Sequence, residues 1–259
     1  MSRSHLSRRQ VLAGVFTLPL SLPASAGLPH EVRFVHGGFD GATYQGGLLV
    51  RMSTGWKTYW RVPGAGGIPP DISVTGNNVA GLRFDCPLPQ RFPGEEGETI
   101  GYKDEVVFPW SLTPIDPAAP LRADFKAFVG ICETMCIPVP VQETVELKPL
   151  AMVARDSALL LQWRARVPTS VTPGPVLTAS VAEEGGQVFL DLTLDRAARD
   201  VFVEGNALHY YSRPEWHADG RRARLSVRGA KSANAVQGST LRLTLDTSGQ
   251  GLEQYVNVS

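Results

Sequence analysis

Two cysteines stand four positions apart near the middle of this 259-residue chain, in the segment VGICETMCIP at 129–138. Cys132 and Cys136 could form a structural disulfide, a dithiol pair that exchanges electrons with other proteins, or part of a soft-metal site. The chain has one other cysteine, Cys86, so one thiol is left over when the neighbours pair. We interpret Cys86 as a small buried residue, and the alternative is a third thiol that reshuffles with the pair.

The segments on either side of the two cysteines predict a β-hairpin. Apolar residues alternate with polar ones over 121–131 and again over 139–147, as in antiparallel strands with one face in the core. Direct pairing would place Cys132 and Cys136 opposite each other, with Cα atoms roughly 4.5–5.5 Å apart, which suits a disulfide. The alternation puts Cys132 on the face away from the core, so we expect it at the rim or surface.

The residues alone leave three roles open for this pair. A disulfide that closes so short a loop adds little stability, which weakens a purely structural role without excluding it. A redox role requires a bond that a partner thiolate can reach, such as one at a loop tip. Cys132, Met135 and Cys136 are soft ligands that would suit Cu(I), although no histidine is near, and no zinc-ligand spacing is present.

The wider chain predicts an all-β protein with two β-sandwich domains. Strand-like segments occupy residues 30–149, within a first domain predicted over 27–149, and residues 150–166 have apolar positions at helical spacing. A Pro-rich linker follows, so 150–175 is predicted to connect the two domains. Short strands then resume over 176–259, where a second, smaller sandwich is expected. The formal net charge is zero, so the basic excess typical of a nucleic-acid-binding protein is missing.

Residues 1–26 have the features of an export signal. Arginines precede the apolar run 11–22, and the small residues of Ala24–Ala26 follow it. The pattern at 7–12 resembles a twin-arginine signal, with a Sec signal as the alternative. The mature protein is therefore expected to begin near Gly27, to work in the periplasm and not to span the membrane. The arginines concerned are Arg3, Arg8 and Arg9.

Several segments resemble the periplasmic domains of the DsbD/ScsB thiol:disulfide interchange family. They are GWKTYWRVPG at 55–64, GIPP at 67–70, PLPQRFP at 87–93, GY at 101–102 and CETMCIP at 132–138. A weaker similarity, to the second module of ScsB-type proteins, lies in DVFVEGNALHYYSRPEW at 200–216 and LEQYVNV at 252–258. The resemblance implies an immunoglobulin-like fold for these sandwiches and a redox domain over 27–149.

The same resemblance implies dithiol–disulfide exchange through Cys132 and Cys136, with no cofactor besides that disulfide. Cys136 would form the mixed disulfide and Cys132 would resolve it. Electrons would come from a separate membrane-embedded donor, because neither a membrane conduit nor a thioredoxin-like domain follows in this sequence. They would pass to periplasmic thioredoxin-like proteins. The alternatives are a non-catalytic binding module with a structural disulfide, and Cu(I) handling, since some ScsB-type proteins are associated with copper tolerance.

The resemblance also suggests residues around the pair. The segment Phe92–Gly101 would act as a cap over the disulfide, and Tyr59 and Tyr102 would line the site, with plain core packing as the alternative for both tyrosines. We expect Trp56 and Trp60 to be large buried anchors of the sandwich. Solvated surface charges are expected at Lys57, Arg61 and Lys103.

Overall fold

This computed structural model describes residues 30–94, 97–148 and 156–259 of the protein. The predicted export signal, residues 1–26, lies outside the described residues. The described chain consists of strands with one α-helix and one short 3-10 helix, which confirms the predicted all-β class. In these described ranges no helix is long and apolar enough to cross a membrane.

Two antiparallel sheets enclose the first core. One sheet has the strand order β1-β2-β8-β5, and the other has the order β10-β9-β3-β7-β6, with β4 also paired to β9. We call residues 30–148 the first module. Its strands are β1 His30–Phe39, β2 Tyr44–Met52, β3 Lys57–Gly64, β4 Asp71–Asn77, β5 Val79–Phe84, β6 Gln90–Phe92, β7 Thr99–Lys103, β8 Glu105–Pro114, β9 Leu121–Cys132 and β10 Cys136–Leu147.

The predicted hairpin is the β9–β10 pair. Its register runs without interruption from Leu121 opposite Leu147 to Cys132 opposite Cys136. Strand β9 is central, because β10 lies on one side of it and β3 and β4 lie on the other. Its odd-numbered residues are buried and most of its even-numbered ones are not, as the alternation predicted.

The α-helix found among the described residues, α1 Ser157–Arg164, packs against the first module rather than only linking two domains. Leu160 fits against Gly37 and Gly47, where an added Cβ would lie 2.6 and 3.0 Å from its methyl carbons. Trp163 is also buried in the first core. Residues 150–155, the start of the predicted helix, lie outside the described part of the chain.

We call residues 169–259 the second module, which has its own apolar core between two sheets. The sheets have the orders β11-β19-β18-β14 and β12-β13-β17-β15, with β16 paired to β17. The short strands expected over 176–259 are present. The elements are β11 Thr169–Ser170, β12 Val176–Glu184, β13 Gln187–Leu194, β14 Asp200–Glu204, β15 Tyr210–Tyr211, β16 Glu215–Trp216, β17 Arg222–Arg228, the 3-10 helix Ala233–Ala235, β18 Thr240–Asp246 and β19 Gly251–Asn257.

An aromatic side chain of the second module enters the core of the first. Phe202, on β14, is fully buried and belongs to the first core cluster. Its ring centroid lies 5.7 Å from that of Trp60 on β3, which is itself completely buried, as expected for an anchor residue. The two modules therefore share apolar contacts next to the strand that carries the motif at 55–64.

Candidate functional site

The β9–β10 hairpin holds Cys132 and Cys136 in a disulfide at its tip. The two residues are direct cross-strand partners, and their Cα atoms are 4.1 Å apart. Three residues connect them, and the Glu133 amide donates a hydrogen bond of 3.4 Å to the Met135 carbonyl oxygen. The ladder thus brings the two sulfur atoms together without help from a distant part of the chain.

The two cysteines differ in exposure. Cys132 is 2% exposed, whereas Cys136 is only half-buried and the connecting loop is exposed, with Met135 at 76%. The expectation that Cys132 lies at the rim was wrong. Strand β3 pairs with the end of β9, with Lys57 opposite Cys132, so this cysteine has a strand on each side. Cys136 is therefore the more accessible cysteine of the pair.

Tyr59 on β3 adjoins the disulfide. Its hydroxyl oxygen lies 3.3 Å from the Sγ of Cys136, and it must be the hydrogen-bond donor because a disulfide sulfur carries no hydrogen. Burial raises the pKa of Tyr59, so the phenol stays protonated at physiological pH. It can donate to a disulfide sulfur and, more strongly, to the thiolate formed on reduction.

Two glycines make room for this arrangement. A Cβ at Gly67 would lie 2.6 Å from the Tyr59 ring, and a Cβ at Gly130 would lie 2.6 Å from the Cβ of Ile68. The GIPP segment therefore packs across β9 and against Tyr59, just before the disulfide. A side-chain hydrogen bond also stabilises this region: the Thr58 hydroxyl donates to the Gly130 carbonyl oxygen at 2.8 Å.

The structure does not bring Tyr102 to the disulfide. Tyr102 is the cross-strand partner of Thr58, so its ring points to the face opposite Tyr59. It packs edge-on against Phe108 in the core and donates a hydrogen bond of 2.7 Å to the Pro87 carbonyl. These contacts agree with the alternative for Tyr102, which is plain core packing. The neighbouring Gly101 instead allows β3 and β7 to approach closely, since a Cβ there would clash with the Thr58 carbonyl.

Lys57, the cross-strand partner of Cys132, contacts Phe92. The Lys57 ammonium is 5.9 Å from the centre of the Phe92 ring and donates a hydrogen bond of 2.9 Å to the Thr99 hydroxyl. Burial lowers the pKa of Lys57, so this cation is not the solvated surface charge expected from the sequence. In the predicted cap segment, residues 95 and 96 lie outside the described residues.

Arg61, also expected to be a solvated surface charge, is an inter-module contact instead. It donates to Glu204 at 2.6 Å and to Glu253 at 2.9 Å, both in the second module. Sequence reasoning also missed the role of Arg91, which contacts Asp200 at 2.8 Å and is almost fully buried. Both arginines lie within segments that carried the family resemblance, and this was the only sequence feature that pointed to a role for them.

Cys86 is buried, as expected, and is not bonded to the pair. Burial raises the pKa of its thiol to about 11, and the nearby Arg61 lowers it by a smaller amount. The thiol is therefore protonated at neutral pH and a poor nucleophile for exchange with Cys132 or Cys136.

Among the described residues, no group of three or more histidine, cysteine, aspartate or glutamate side chains is arranged to hold a metal ion. The Cu(I) alternative rests on the Met135 thioether beside the two cysteine sulfurs. In this structure those sulfurs are bonded to each other, so such a site would require the reduced pair.

The chain is similar to known proteins both in sequence and in fold. The family model described as "Thiol:disulfide interchange protein DsbD, N-terminal" matches residues 25–149. The fold is similar to the crystal structure of the N-terminal periplasmic domain of ScsB from Proteus mirabilis, with a TM-score of 0.71 and 23% sequence identity. That alignment covers 92% of this chain and 96% of the ScsB domain, so it includes both modules. No curated protein matches the sequence.

Proposed function

The chain contains a DsbD-like N-terminal domain, whose family model matches residues 25–149, and from this we propose that the protein passes reducing equivalents by thiol–disulfide exchange through Cys132 and Cys136. The observation that carries the proposal is the disulfide at the hairpin tip, with a reachable Cys136 and a buried Cys132. A bond at a loop tip with one accessible sulfur is open to attack by a partner thiolate.

The exchange proceeds in two balanced steps once the pair is reduced. The Cys136 thiolate attacks one sulfur of a partner's disulfide, that disulfide breaks, and the partner's other sulfur leaves as a thiolate. The Cys132 thiolate then attacks the Sγ of Cys136, which breaks the mixed disulfide and re-forms the Cys132–Cys136 bond. Two electrons reach the partner, which leaves as a dithiol, and a donor dithiol restores the pair by the reverse sequence.

The neighbouring side chains support the assignment of Cys136 as the attacking sulfur. The Tyr59 hydroxyl can stabilise the Cys136 thiolate, since its distance to that sulfur is already 3.3 Å in the oxidised state. Cys132 is shielded from a second protein, yet it lies directly across the ladder from Cys136. That placement suits a resolving cysteine, which needs only to reach its own neighbour.

Phe92 and Lys57 act in this proposal as the cap on the Cys132 side. An aromatic ring with a cation above it would shield the buried sulfur from small thiols until a partner docks. A domain of this family implies thioredoxin-like partners in general. We propose a membrane-embedded electron donor and a periplasmic location. The exposed loop with Met135 is the surface on which such a partner would approach.

Trapping tests the proposal. A Cys132→Ser variant lacks the resolving thiol, so it should accumulate a mixed disulfide between Cys136 and a thioredoxin-like protein when expressed in the periplasm. The matched control is Cys136→Ser, which should trap far less because its remaining thiol is buried. A pair that remains oxidised in excess dithiothreitol, with no trapped partner in either variant, would leave a non-catalytic module with a structural disulfide.

The Cu(I) alternative has a separate test. The protein is reduced and titrated anaerobically with Cu(I) against a competing chelator, with a Cys132→Ser/Cys136→Ser double variant as the control. Tight binding that requires both thiols and is weakened by Met135→Ala would favour copper handling.

A further inference from the structure

Lys57 connects the disulfide to the second module. Its backbone pairs with Cys132, and its ammonium contacts the Phe92 ring and the Thr99 hydroxyl. Phe92 and Thr99 share a feature of the chain: each directly follows a residue whose side chain is held by the second module. Those two residues are Arg91 and Glu98.

Glu98 is bound from both modules at once. One carboxylate oxygen accepts from Arg91 at 2.6 Å, and the other accepts from Arg213 of the second module at 2.8 Å. Its backbone carbonyl accepts from the Tyr210 hydroxyl at 3.1 Å and from the Ala65 amide at 3.1 Å. The first residue of β7, Thr99, follows immediately, so the position of Glu98 sets where that strand begins.

Arg91 has still less freedom. Its side chain is 3% exposed, and it donates to the Asp200 carboxylate and to the Val201 carbonyl at 2.7 Å. Its guanidinium carbon also lies 4.8 Å from the centre of the Phe202 ring. A buried arginine with all of these donors engaged cannot change partners without leaving a charge unpaired. The second module therefore fixes the position of Arg91, and with it the position of Phe92, the next residue and the last of β6.

We propose that the second module positions the exchange site: Arg213, Tyr210 and Asp200 hold Glu98 and Arg91, and thereby hold Thr99 and Phe92 against Lys57 beside Cys132. This inference rests on the proposed function, and it gives the second module a role in that function although it contains no cysteine. Glu98, Arg213 and Tyr210 are positioning residues, since they act on the disulfide only through Lys57 and Phe92. Loosening them should expose the pair to small thiols.

The test uses the full chain with an Arg213→Ala/Tyr210→Phe double variant. Both changes are in the second module, Arg213 is 62% exposed, and phenylalanine keeps an aromatic ring against Arg228, so the fold should persist. The control is Arg196→Ala, which removes a similarly exposed arginine, at 59%, whose partner Asp195 lies within the same module. Reduction of the disulfide by glutathione and hydrogen exchange of the β7 amides are measured for each protein.

We expect the double variant to be reduced about fivefold faster than the wild type or more, the size of a modest coupling between two sites. Its β7 amides should exchange faster at an unchanged midpoint of thermal unfolding, and Arg196→Ala should match the wild type. Arg213→Lys, which keeps a cation beside Glu98, should stay within about twofold of the wild-type rate, because the attraction to the carboxylate is retained.

Equal reduction rates in the wild type and the double variant would overturn the inference while the proposed function stands. Unchanged β7 exchange would overturn it as well, because the strand would then not depend on the second module. If the pair stays oxidised in excess dithiothreitol and Cys132→Ser traps no partner, the proposed function fails, and the inference fails with it because there is no exchange site to position.

Discussion

Gly67 packs directly against the ring of Tyr59: a Cβ atom at position 67 would lie 2.6 Å from the Cδ1 atom of that ring. Since Tyr59 adjoins the Sγ of Cys136, this glycine determines how closely the hydroxyl approaches the disulfide. The backbone at Gly67 does not have a positive φ, so the absence of a side chain is required by space and not by conformation.

We predict that Gly67→Ala destabilises the protein by about 1–3 kcal/mol, the usual cost of forcing a methyl group into a packed site. It should also displace the Tyr59 hydroxyl from Cys136 and slow the exchange reaction. Urea unfolding and the rate of mixed-disulfide formation are the measurements. Gly81→Ala is the matched control, because a Cβ there has no heavy atom within 4 Å. Equal effects at both positions would contradict the prediction.

Tyr59→Phe removes only the hydroxyl from this contact. The reduced variant should react with iodoacetamide at neutral pH about three- to tenfold more slowly at Cys136, because a hydrogen bond to the thiolate is lost. Tyr102→Phe serves as the control, since its hydroxyl donates to the Pro87 carbonyl on the opposite face of the sheet. It should alter stability and leave the alkylation rate unchanged. Similar alkylation of Tyr59→Phe and the wild type would remove the proposed role of the hydroxyl.

The hairpin could be predicted from the sequence because its determinants are local. Alternation fixes which residues of β9 and β10 share a face, and a three-residue connection fixes Cys132 opposite Cys136. The burial of Cys132 could not be predicted from local sequence in the same way. It depends on β3, which is distant in sequence and pairs beside the end of β9, and the pattern within one strand does not identify its neighbours.

The same reason explains the errors at Tyr102 and Arg61. The resemblance placed Tyr102 at the site, but the face on which Tyr102 lies depends on the register of β7 against β3, and a shift of one position reverses that face. Arg61 resembles a solvated charge because its carboxylate partners come from β14 and β19, more than a hundred residues later in the chain. Only the folded arrangement of the two modules brings them together.

Phe92→Ala tests the cap on the Cys132 side. We expect the oxidised variant to be reduced by dithiothreitol about tenfold faster than the wild type, because removing a ring that excludes reagents raises access to the bond. Phe128→Ala is the control: this phenylalanine lies on β9, near the pair in sequence, and is already 37% exposed. Faster reduction in both variants would indicate general loosening of the sheet instead of loss of a cap.

Because of Cys86, we predict that the free energy of unfolding decreases as the pH rises into the alkaline range. Its pKa is raised by burial from 9.0 to about 11, so the folded protein holds the proton more tightly than the unfolded chain does. This contribution is complete below pH 9 and is lost as the pH rises towards 11. A shift of this size corresponds to about 2–3 kcal/mol. Urea unfolding at pH 8 and pH 10.5 should therefore show a smaller decrease for Cys86→Ala than for the wild type.

A labelling experiment checks the same residue independently. After reduction, the folded protein should react with a thiol reagent at Cys132 and Cys136 and not at Cys86, and all three should react in denaturant. Rapid labelling of Cys86 in the folded state would contradict its assignment as a buried, protonated thiol.

Arg91→Ala should be strongly destabilising at neutral pH, by about 3–5 kcal/mol, because it leaves the carboxylates of Asp200 and Glu98 without their buried partner.

The destabilisation caused by Arg91→Ala should decrease as the pH falls. Burial raises the pKa of Asp200 and Arg91 lowers it, so deleting the arginine raises that pKa further. Protonation of Asp200 then relieves the unpaired charge as the pH falls, and the difference from the wild type should shrink between pH 7 and pH 4. Urea unfolding at both pH values measures it, with Arg196→Ala expected to track the wild type at each. A penalty that stays constant with pH would mean that lost packing against Phe202, and not the uncompensated carboxylate, accounts for the destabilisation.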